Sequence, residues 1–188
     1  NGCTPVPVPY IPKEPLIFTA GRLWDEAKNT RILDSIAQRL PWPVFAAGSS
    51  TSPEGDTAGF STIKLLGNLE QQEIAVWHVR ASVFAMPALY EPFGLGILEA
   101  AVAGCGLVFG DIPPLREIWE GAALFSDPRN RDAVASTLRT VIEDPGLCRE
   151  LGRKARTRAQ RFTQGHMGQG YRRLYSQLLA SRKSAQTA

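Results

Sequence analysis

Short apolar runs alternate along this chain with longer segments in which apolar residues recur at helical spacing. Several of the short runs end at glycine or proline, as buried strands often do. The longer segments have the period of amphipathic helices packed on one side. The pattern predicts strands at residues 16–20, 44–47, 63–66, 83–86, 107–109 and 122–125, and helices near residues 29–40, 70–81, 95–103, 131–143, 146–161 and 167–180.

This alternation predicts the α/β fold class, with a Rossmann-like parallel sheet in the middle of three α/β/α layers. Ligands of such sheets bind beyond the carboxyl ends of the strands. With 188 residues and 44% hydrophobic content, the chain can bury one substantial core. We therefore expect one folded domain at residues 15–180, followed by a small polar tail at 181–188.

The most informative segment, YEPFGLGILE at residues 90–99, places two carboxylates eight positions apart. Glu91 falls in the loop after a predicted strand, and Glu99 falls on the first turns of the next helix. Helical spacing places Glu99 on one face with Leu95, Leu98 and Val102, where a carboxylate is costly unless a polar group meets it. This pattern indicates a pocket for a polyhydroxylated, phosphorylated ligand.

The start of the same helix adds backbone donors to that pocket. The amides of Phe93, Gly94 and Leu95 are expected to point out of the helix start, where anionic and polar groups bind well. The alternative is that Glu99 complements the helix N-terminus and Glu91 is a solvated loop residue.

A second group of polar residues follows the first predicted strand, which closes at Gly21 and leads at once to Arg22. Asp25 is a plausible N-cap, which places Lys28 at the third helical position. Cations are disfavoured in the first turn of a helix, so a lysine there suggests an anion beside it. The alternative is a local ion pair with Asp25 or Glu26, which contributes little on a surface.

Together these segments resemble the E-x7-E signature of retaining glycosyltransferases with the two-domain GT-B fold, of the glycosyltransferase family 4 (group 1) type. The resemblance continues in order along nearly the whole chain. By this resemblance the Asn-Gly at residues 1–2 belongs to the linker between the two GT-B domains, so residues 1–14 are expected to be the remnant of that linker. The further matching segments are the strand and turn at 65–69, the strand at 105–111, the stretch at 114–125, and the closing helices around Phe162, Tyr171 and Tyr175.

The resemblance implies a role for each candidate site residue, with Arg22, Lys28 and Glu91 as the catalytic group. In such enzymes the first glutamate contacts hydroxyls of the donor sugar, the second holds the nucleotide ribose, and a basic pair grips the diphosphate. These roles fall on Glu91, on Glu99, and on Arg22 with Lys28; the amides of Phe93, Gly94 and Leu95 line the sugar and phosphate site, and the turn at Gly67, Asn68 and Leu69 faces the base.

The resemblance also implies that the donor is a nucleoside-diphosphate sugar and that neither a metal nor another cofactor is required. No Asp-x-Asp metal motif is present. We expect the chain to be the C-terminal, donor-binding half of a hexosyltransferase, inactive without the N-terminal domain that carries the acceptor site. Two alternatives remain: half of a related sugar-nucleotide epimerase, or a non-catalytic nucleotide-binding or interaction module.

Composition adds the expected location and partners. The formal charge of +3 is mild, and a basic run at residues 149–161 is interpreted as a solvated helix face, which leaves open a peripheral contact with acidic membrane lipid or with the partner domain. The run lacks interleaved aromatic residues, which argues against nucleic-acid binding.

Cys3, Cys105 and Cys148 have no disulfide or metal-ligand spacing, as expected in a reducing cytoplasm. No signal peptide or membrane span is visible, and His78 is interpreted as structural.

Overall fold

The computed structural model of the chain describes residues 2–3, 6–9 and 11–186, with only the backbone of residues 180–186. Asn1, assigned above to the linker, and the last two residues of the predicted tail lie outside the described residues.

The six predicted strands all form, and each observed end lies within two residues of its prediction. They make one parallel sheet in the order β3-β2-β1-β4-β5-β6. The prediction of a three-layer α/β fold with a parallel sheet is therefore confirmed. The strands are β1 Glu14–Ala20, β2 Val44–Ala47, β3 Lys64–Gly67, β4 Ala81–Met86, β5 Gly106–Gly110 and β6 Leu124–Ser126.

Seven α-helices connect and cover these strands in the described part of the chain. Short 3-10 turns at Glu26–Lys28 and Ala37–Arg39 flank α1, which is therefore shorter than the predicted helix at 29–40. The helices are α1 Thr30–Ile36, α2 Gln71–Arg80, α3 Leu95–Val102, α4 Pro113–Trp119, α5 Arg131–Glu143, α6 Pro145–Ala159 and α7 Gln164–Gln186.

Two further helices differ from the sequence prediction. The pattern predicted no helix at α4, where Pro113 and Pro114 stand at the first two helical positions. Backbone N–H groups in the first turn of a helix have no intrahelical acceptor, so proline, which lacks an N–H, loses no hydrogen bond there. Helix α7 continues to Gln186, past its predicted end at residue 180 and into the predicted tail.

Alternate residues of the central strands supply two cores, one on each face of the sheet. Phe18 packs on one face with Leu98 of α3 and Trp119 of α4. Ile17 packs on the other face with Leu33 of α1 and Leu138 of α5. This alternation places α1 and α3 on opposite faces, although β1 and β4, the strands that precede them, are neighbours.

His78 of α2 belongs to the first of these cores and is 1% exposed. Its ring meets the edges of Phe18 and Phe84, with centroids 5.2 and 5.4 Å away. Neither ring nitrogen has a hydrogen-bond partner in the described part of the chain. Burial, helped by the charge of Lys13, lowers the pKa of His78 to about 3. This histidine is a core residue, as expected from the sequence.

We expect His78 to make the fold less stable as the pH falls from about 6.5 towards 3. Over that range the unfolded chain takes up a proton that the buried ring does not, so the free energy of unfolding falls by up to about 1.4 kcal/mol per pH unit. His78→Leu should reduce that slope in urea unfolding measured at pH 7, 6 and 5. The exposed His166 offers the control, since His166→Gln should leave the slope unchanged. Equal slopes in wild type and His78→Leu would refute this expectation.

Candidate functional site

The strand order reverses between β1 and β4, the position at which open α/β sheets bind ligands outside the carboxyl ends of the strands; the space between the loops that follow these two strands is called the crevice below. From β1 the chain passes to α1 on one face, and from β4 it passes to α3 on the other. The two connecting loops carry Lys28 and Glu91, respectively. The sequence-predicted basic and acidic residues thus meet at the position where open α/β sheets bind ligands.

Lys28 and Glu91 form an ion pair across this crevice, with Nζ and Oε2 2.5 Å apart. The two side chains are 17% and 9% exposed. The other carboxylate oxygen of Glu91 accepts a hydrogen bond from the Phe93 amide at 3.3 Å. Glu91 is therefore a buried, paired carboxylate, and the alternative that it is a solvated loop residue is wrong.

Backbone hydrogen bonds hold the same two loops together beside the ion pair. The carbonyl oxygen of Ala27 accepts hydrogen bonds from the amides of Leu89 at 2.8 Å and Tyr90 at 3.3 Å. These bonds join the residue before Lys28 to the two residues before Glu91. The distance between the lysine and the glutamate is thus set by the backbone as well as by their charges.

Arg22 makes the local contact that the sequence left open as an alternative. Its guanidinium pairs with Asp25 at 2.7 Å, and the arginine side chain is 63% exposed. The guanidinium also lies over the ring of Trp24, 5.6 Å from the centroid. Asp25 accepts a hydrogen bond from the Ala27 amide at 3.0 Å and so caps the 3-10 turn as predicted. Lys28, by contrast, pairs across the crevice.

Glycines at the ends of the first three strands form the neighbouring part of the edge. The Gly21 amide donates to Ala47 at 3.0 Å, and the Gly48 amide donates to Gly67 at 2.7 Å. Gly67 has a φ of 70°, a conformation that favours glycine, as the chain leaves β3. Asn68 is exposed and Leu69 is half-buried in the turn that follows. The predicted turn therefore lies at the carboxyl edge of the sheet, beyond β3.

The start of α3 differs from the prediction in the face that it buries. Gly94 precedes the helix at φ 80°, and the first residue, Leu95, is 54% exposed. The expected apolar face of Leu95, Leu98, Glu99 and Val102 is therefore wrong at its first position. Because α3 packs against both the sheet and α6, its buried side is turned away from Leu95. The buried residues are Ile97, Leu98, Ala100 and Ala101.

Glu99 is half-buried beside a cavity of about 440 Å³ between α2, α3 and the N-terminal segment. Gln71, Val102 and Cys3 also line this cavity. Burial raises the pKa of the Glu99 carboxyl. Within the described ranges, no hydrogen bond or ion pair joins Glu99 to Lys28 or Glu91. The structure therefore brings Lys28 and Glu91 together, and Glu99 lines a separate cavity that neither of them lines.

Sequence reasoning missed one residue at the crevice, Asn29. Its side-chain amide donates to the carbonyl oxygens of Pro87 and Pro128, 58 and 99 residues away. The available signal was an asparagine between a turn and a helix, because asparagine tolerates the left-handed conformation found there.

The prediction that the basic run at residues 149–161 forms a solvated helix face is only partly right. Arg156 donates to the carbonyl oxygens of Val102 and Ala103 at the end of α3. Arg158 donates to those of Ile118 and Glu120 at the end of α4. These contacts satisfy carbonyl groups that a helix end leaves without partners. Two arginines of the run therefore fix helix ends.

Comparison with known proteins identifies the family. The sequence profile described as "Glycosyl transferases group 1" matches residues 11–158. This chain belongs to the glycosyl transferases group 1 family. Glycogen synthase of Mycobacterium tuberculosis is 36% identical over 97 residues, which cover 50% of this chain and 23% of that protein.

Solved structures match the fold over most of the chain. Sucrose-phosphate synthase from Thermosynechococcus elongatus matches with a TM-score of 0.79 and 24% identity, covering 91% of this chain and 47% of that one. Anabaena HepE in complex with UDP-glucose matches with a TM-score of 0.76 and 23% identity, covering 86% and 48%. The fold is that of a GT-B glycosyltransferase domain.

The matched proteins are longer than this chain. The chain spans about half the length of the two solved structures and about a quarter of the curated relative. Among the described residues, no helix is both long enough and apolar enough to cross a membrane.

Proposed function

We propose that this chain is the donor-binding domain of a retaining glycosyltransferase that uses a nucleoside-diphosphate sugar. The observation that carries the proposal is the Lys28–Glu91 pair, held at the crevice where the strand order reverses. A cation there suits a diphosphate, and a carboxylate beside it suits sugar hydroxyls. The binding of UDP-glucose by HepE, a protein of the same fold, supports this class of donor.

Lys28 has to exchange partners when the donor binds. In the structure its charge is balanced by Glu91. A diphosphate entering the crevice offers more negative charge to the lysine, and the released Glu91 can then accept hydrogen bonds from the donor sugar. Lysine binds phosphate as a compact charge on a flexible stem, which allows such an exchange.

The other predicted site residues have further roles in this proposal. Arg22 is exposed, and its ion pair with Asp25 contributes little and is readily given up for a diphosphate. The Phe93 amide already donates to the Glu91 carboxylate, and the amides of Gly94 and Leu95 lie at the start of α3. We assign the turn at residues 67–69 to the base and Glu99 to the ribose.

The chemistry of transfer places negative charge on the departing diphosphate. Lys28, Arg22 and the α3 amides would stabilise that charge as the anomeric bond breaks, which is the usual electrostatic contribution to rate. The acceptor must be held within attacking reach by another domain. The solved relatives contain a second half that this chain does not match. We therefore propose that a domain corresponding to that half supplies the acceptor site, and that the present domain alone does not transfer sugar.

The reaction needs neither a metal nor a cofactor in this proposal, because the basic pair takes the place of a divalent ion. The three cysteines are free thiols, two of them buried, which suits a reducing compartment such as the cytoplasm.

Calorimetry with UDP, UDP-glucose and GDP-mannose, with and without EDTA, tests the proposal. We expect binding of at least one nucleotide sugar that survives EDTA. Glu91→Ala should not weaken the binding of the nucleoside diphosphate, because that ligand does not contact the carboxylate and Lys28 no longer has to leave it, whereas the added affinity for the intact donor should be lost. Glu54→Ala, in the exposed loop at residues 49–61, is the matched control.

Two outcomes would count against the proposal. Binding that disappears with EDTA would remove the role given to the basic pair. Equal weakening of diphosphate and donor by Glu91→Ala would show that Glu91 does not recognise the sugar.

A further inference from the structure

Asn29 has an unusual backbone conformation for a residue with a side chain. Its φ of 56° and ψ of 33° lie in the left-handed region, and among the described residues it is the one non-glycine with a positive φ. The position ends the 3-10 turn that carries Lys28 and begins α1. Strain of this kind persists only where the surroundings hold it in place, and it concentrates at functional sites.

Hydrogen bonds from the Asn29 side chain hold this backbone conformation in place. Its Nδ2 donates to the Pro87 carbonyl oxygen at 2.9 Å and to the Pro128 carbonyl oxygen at 2.7 Å. Both acceptors are carbonyl oxygens, so only the amino group of the amide can meet them, and the orientation of the amide is fixed. Pro87 follows β4, and Pro128 lies in the loop between β6 and α5. One side chain therefore joins three loops at the carboxyl edge of the sheet.

Three consecutive residues bind the β1–α1 loop to the β4–α3 loop. Ala27 does so through its carbonyl oxygen, Lys28 through its ion pair with Glu91, and Asn29 through Pro87. The side chain of Asn29 makes no capping bond to α1, although asparagine is a favoured N-cap residue. Its hydrogen-bonding capacity is used to fix the loop that carries Lys28.

We propose that Asn29 is a positioning residue that holds Lys28 over the crevice and so sets the affinity for a diphosphate. This inference rests on the proposed function. The left-handed backbone of Asn29 ends the turn directly after the lysine, and its amide anchors that turn to the opposite side of the crevice. Lys28 is thereby held in place before the ligand arrives, which reduces the entropy lost on binding.

Two substitutions separate the contributions of backbone and amide. Asn29→Gly retains easy access to the left-handed conformation and removes both hydrogen bonds. Asn29→Asp keeps the shape and sets a carboxylate oxygen against two carbonyl oxygens. Calorimetry with UDP and with inorganic pyrophosphate, well below the melting temperature of each variant, measures the effect. We expect both variants to raise both dissociation constants about five- to tenfold, the loss expected for one or two hydrogen bonds.

A double-substitution cycle distinguishes positioning from a general loss of stability. If Asn29 acts through Lys28, then Asn29→Gly changes neither dissociation constant further in a Lys28→Ala chain. Asn130→Ala is the matched control: it removes the side-chain cap of α5, so it should lower the melting temperature and leave both dissociation constants unchanged.

Other results would overturn the inference. If Asn29→Gly lowers the melting temperature and leaves both dissociation constants unchanged, Asn29 is merely structural. An equal effect with and without Lys28 would also overturn it. If Asn29→Asp does not fold, Asn29→Gly alone decides the matter. A wild-type chain that binds none of UDP, UDP-glucose, GDP-mannose and pyrophosphate would refute the proposed function, whereas tight binding by all variants would refute this inference alone.

Discussion

Lys28→Ala is expected to lower the free energy of unfolding by about 3 kcal/mol, because it leaves a buried carboxylate without its partner. Glu91 is 7% exposed, and in the described part of the chain its other hydrogen bond comes from the Phe93 amide. The same substitution should weaken the binding of UDP at least tenfold, since a charge-assisted hydrogen bond contributes about 1.5–3 kcal/mol. Urea unfolding and calorimetry on one preparation measure both effects.

A double variant separates these two effects of Lys28. Lys28→Met with Glu91→Leu replaces the pair by apolar groups and should recover most of the lost stability, because neither charge remains buried. It should not recover UDP binding. The surface pair of Lys154 and Glu150 provides the control, because Lys154→Ala should change the free energy of unfolding by less than about 1 kcal/mol.

The result that would contradict this account is a Lys28→Ala chain as stable as wild type. Glu91 would then have found another partner or a route to water, and the crevice would not be built around this ion pair. A double variant that binds UDP as wild type does would remove Lys28 from the diphosphate site.

Gly48→Ala is expected to cost about 4 kcal/mol or to prevent folding, since it combines a steric clash with a disfavoured backbone conformation. An added Cβ would lie 1.8 Å from the Gly21 carbonyl oxygen, and Gly48 has a φ of 127°. Neither glycine can easily shift, because the amide of Gly21 is bonded to Ala47 and that of Gly48 to Gly67. Soluble expression followed by urea unfolding measures the cost.

Gly59→Ala is the matched control for Gly48→Ala. Apart from Gly59 and its two chain neighbours, no described residue has a heavy atom within 4 Å of a Cβ added at Gly59, and the φ of Gly59 is outside the positive region. We expect a change within about 0.5 kcal/mol. If the two alanine variants were equally stable, the close approach of the first two strands at the ligand-binding edge would not be a real constraint.

Much of the fold follows from local signals along the chain. The short apolar runs and the glycines after them gave all six strands to within two residues, because a parallel strand buried on both faces is apolar almost throughout. The one unpredicted helix, α4, begins with Pro113 and Pro114. Proline is equally at home in a loop and in the first turn of a helix, so the local sequence did not distinguish the two.

The face of α3 shows where helical periodicity alone was insufficient. Spacing placed Leu95 with Leu98 on the buried side, but Leu95 is exposed, whereas Ile97 and Ala101 are buried. The sequence around α3 is apolar on nearly every side. Which side faces solvent is decided by α6 and the sheet, and no local pattern contains that information.

The sequence by itself determined the parallel α/β sheet and the placement of Lys28 and Glu91 in loops after strands, because apolar runs, glycines and prolines act on their immediate neighbours. The tertiary structure decided that these residues pair across 63 positions, that Arg22 pairs with Asp25, and that Asn29 joins three loops. Those contacts depend on which strands become neighbours. The order of strands is set by the packing of the whole sheet, and it brings β1 beside β4 rather than beside β3.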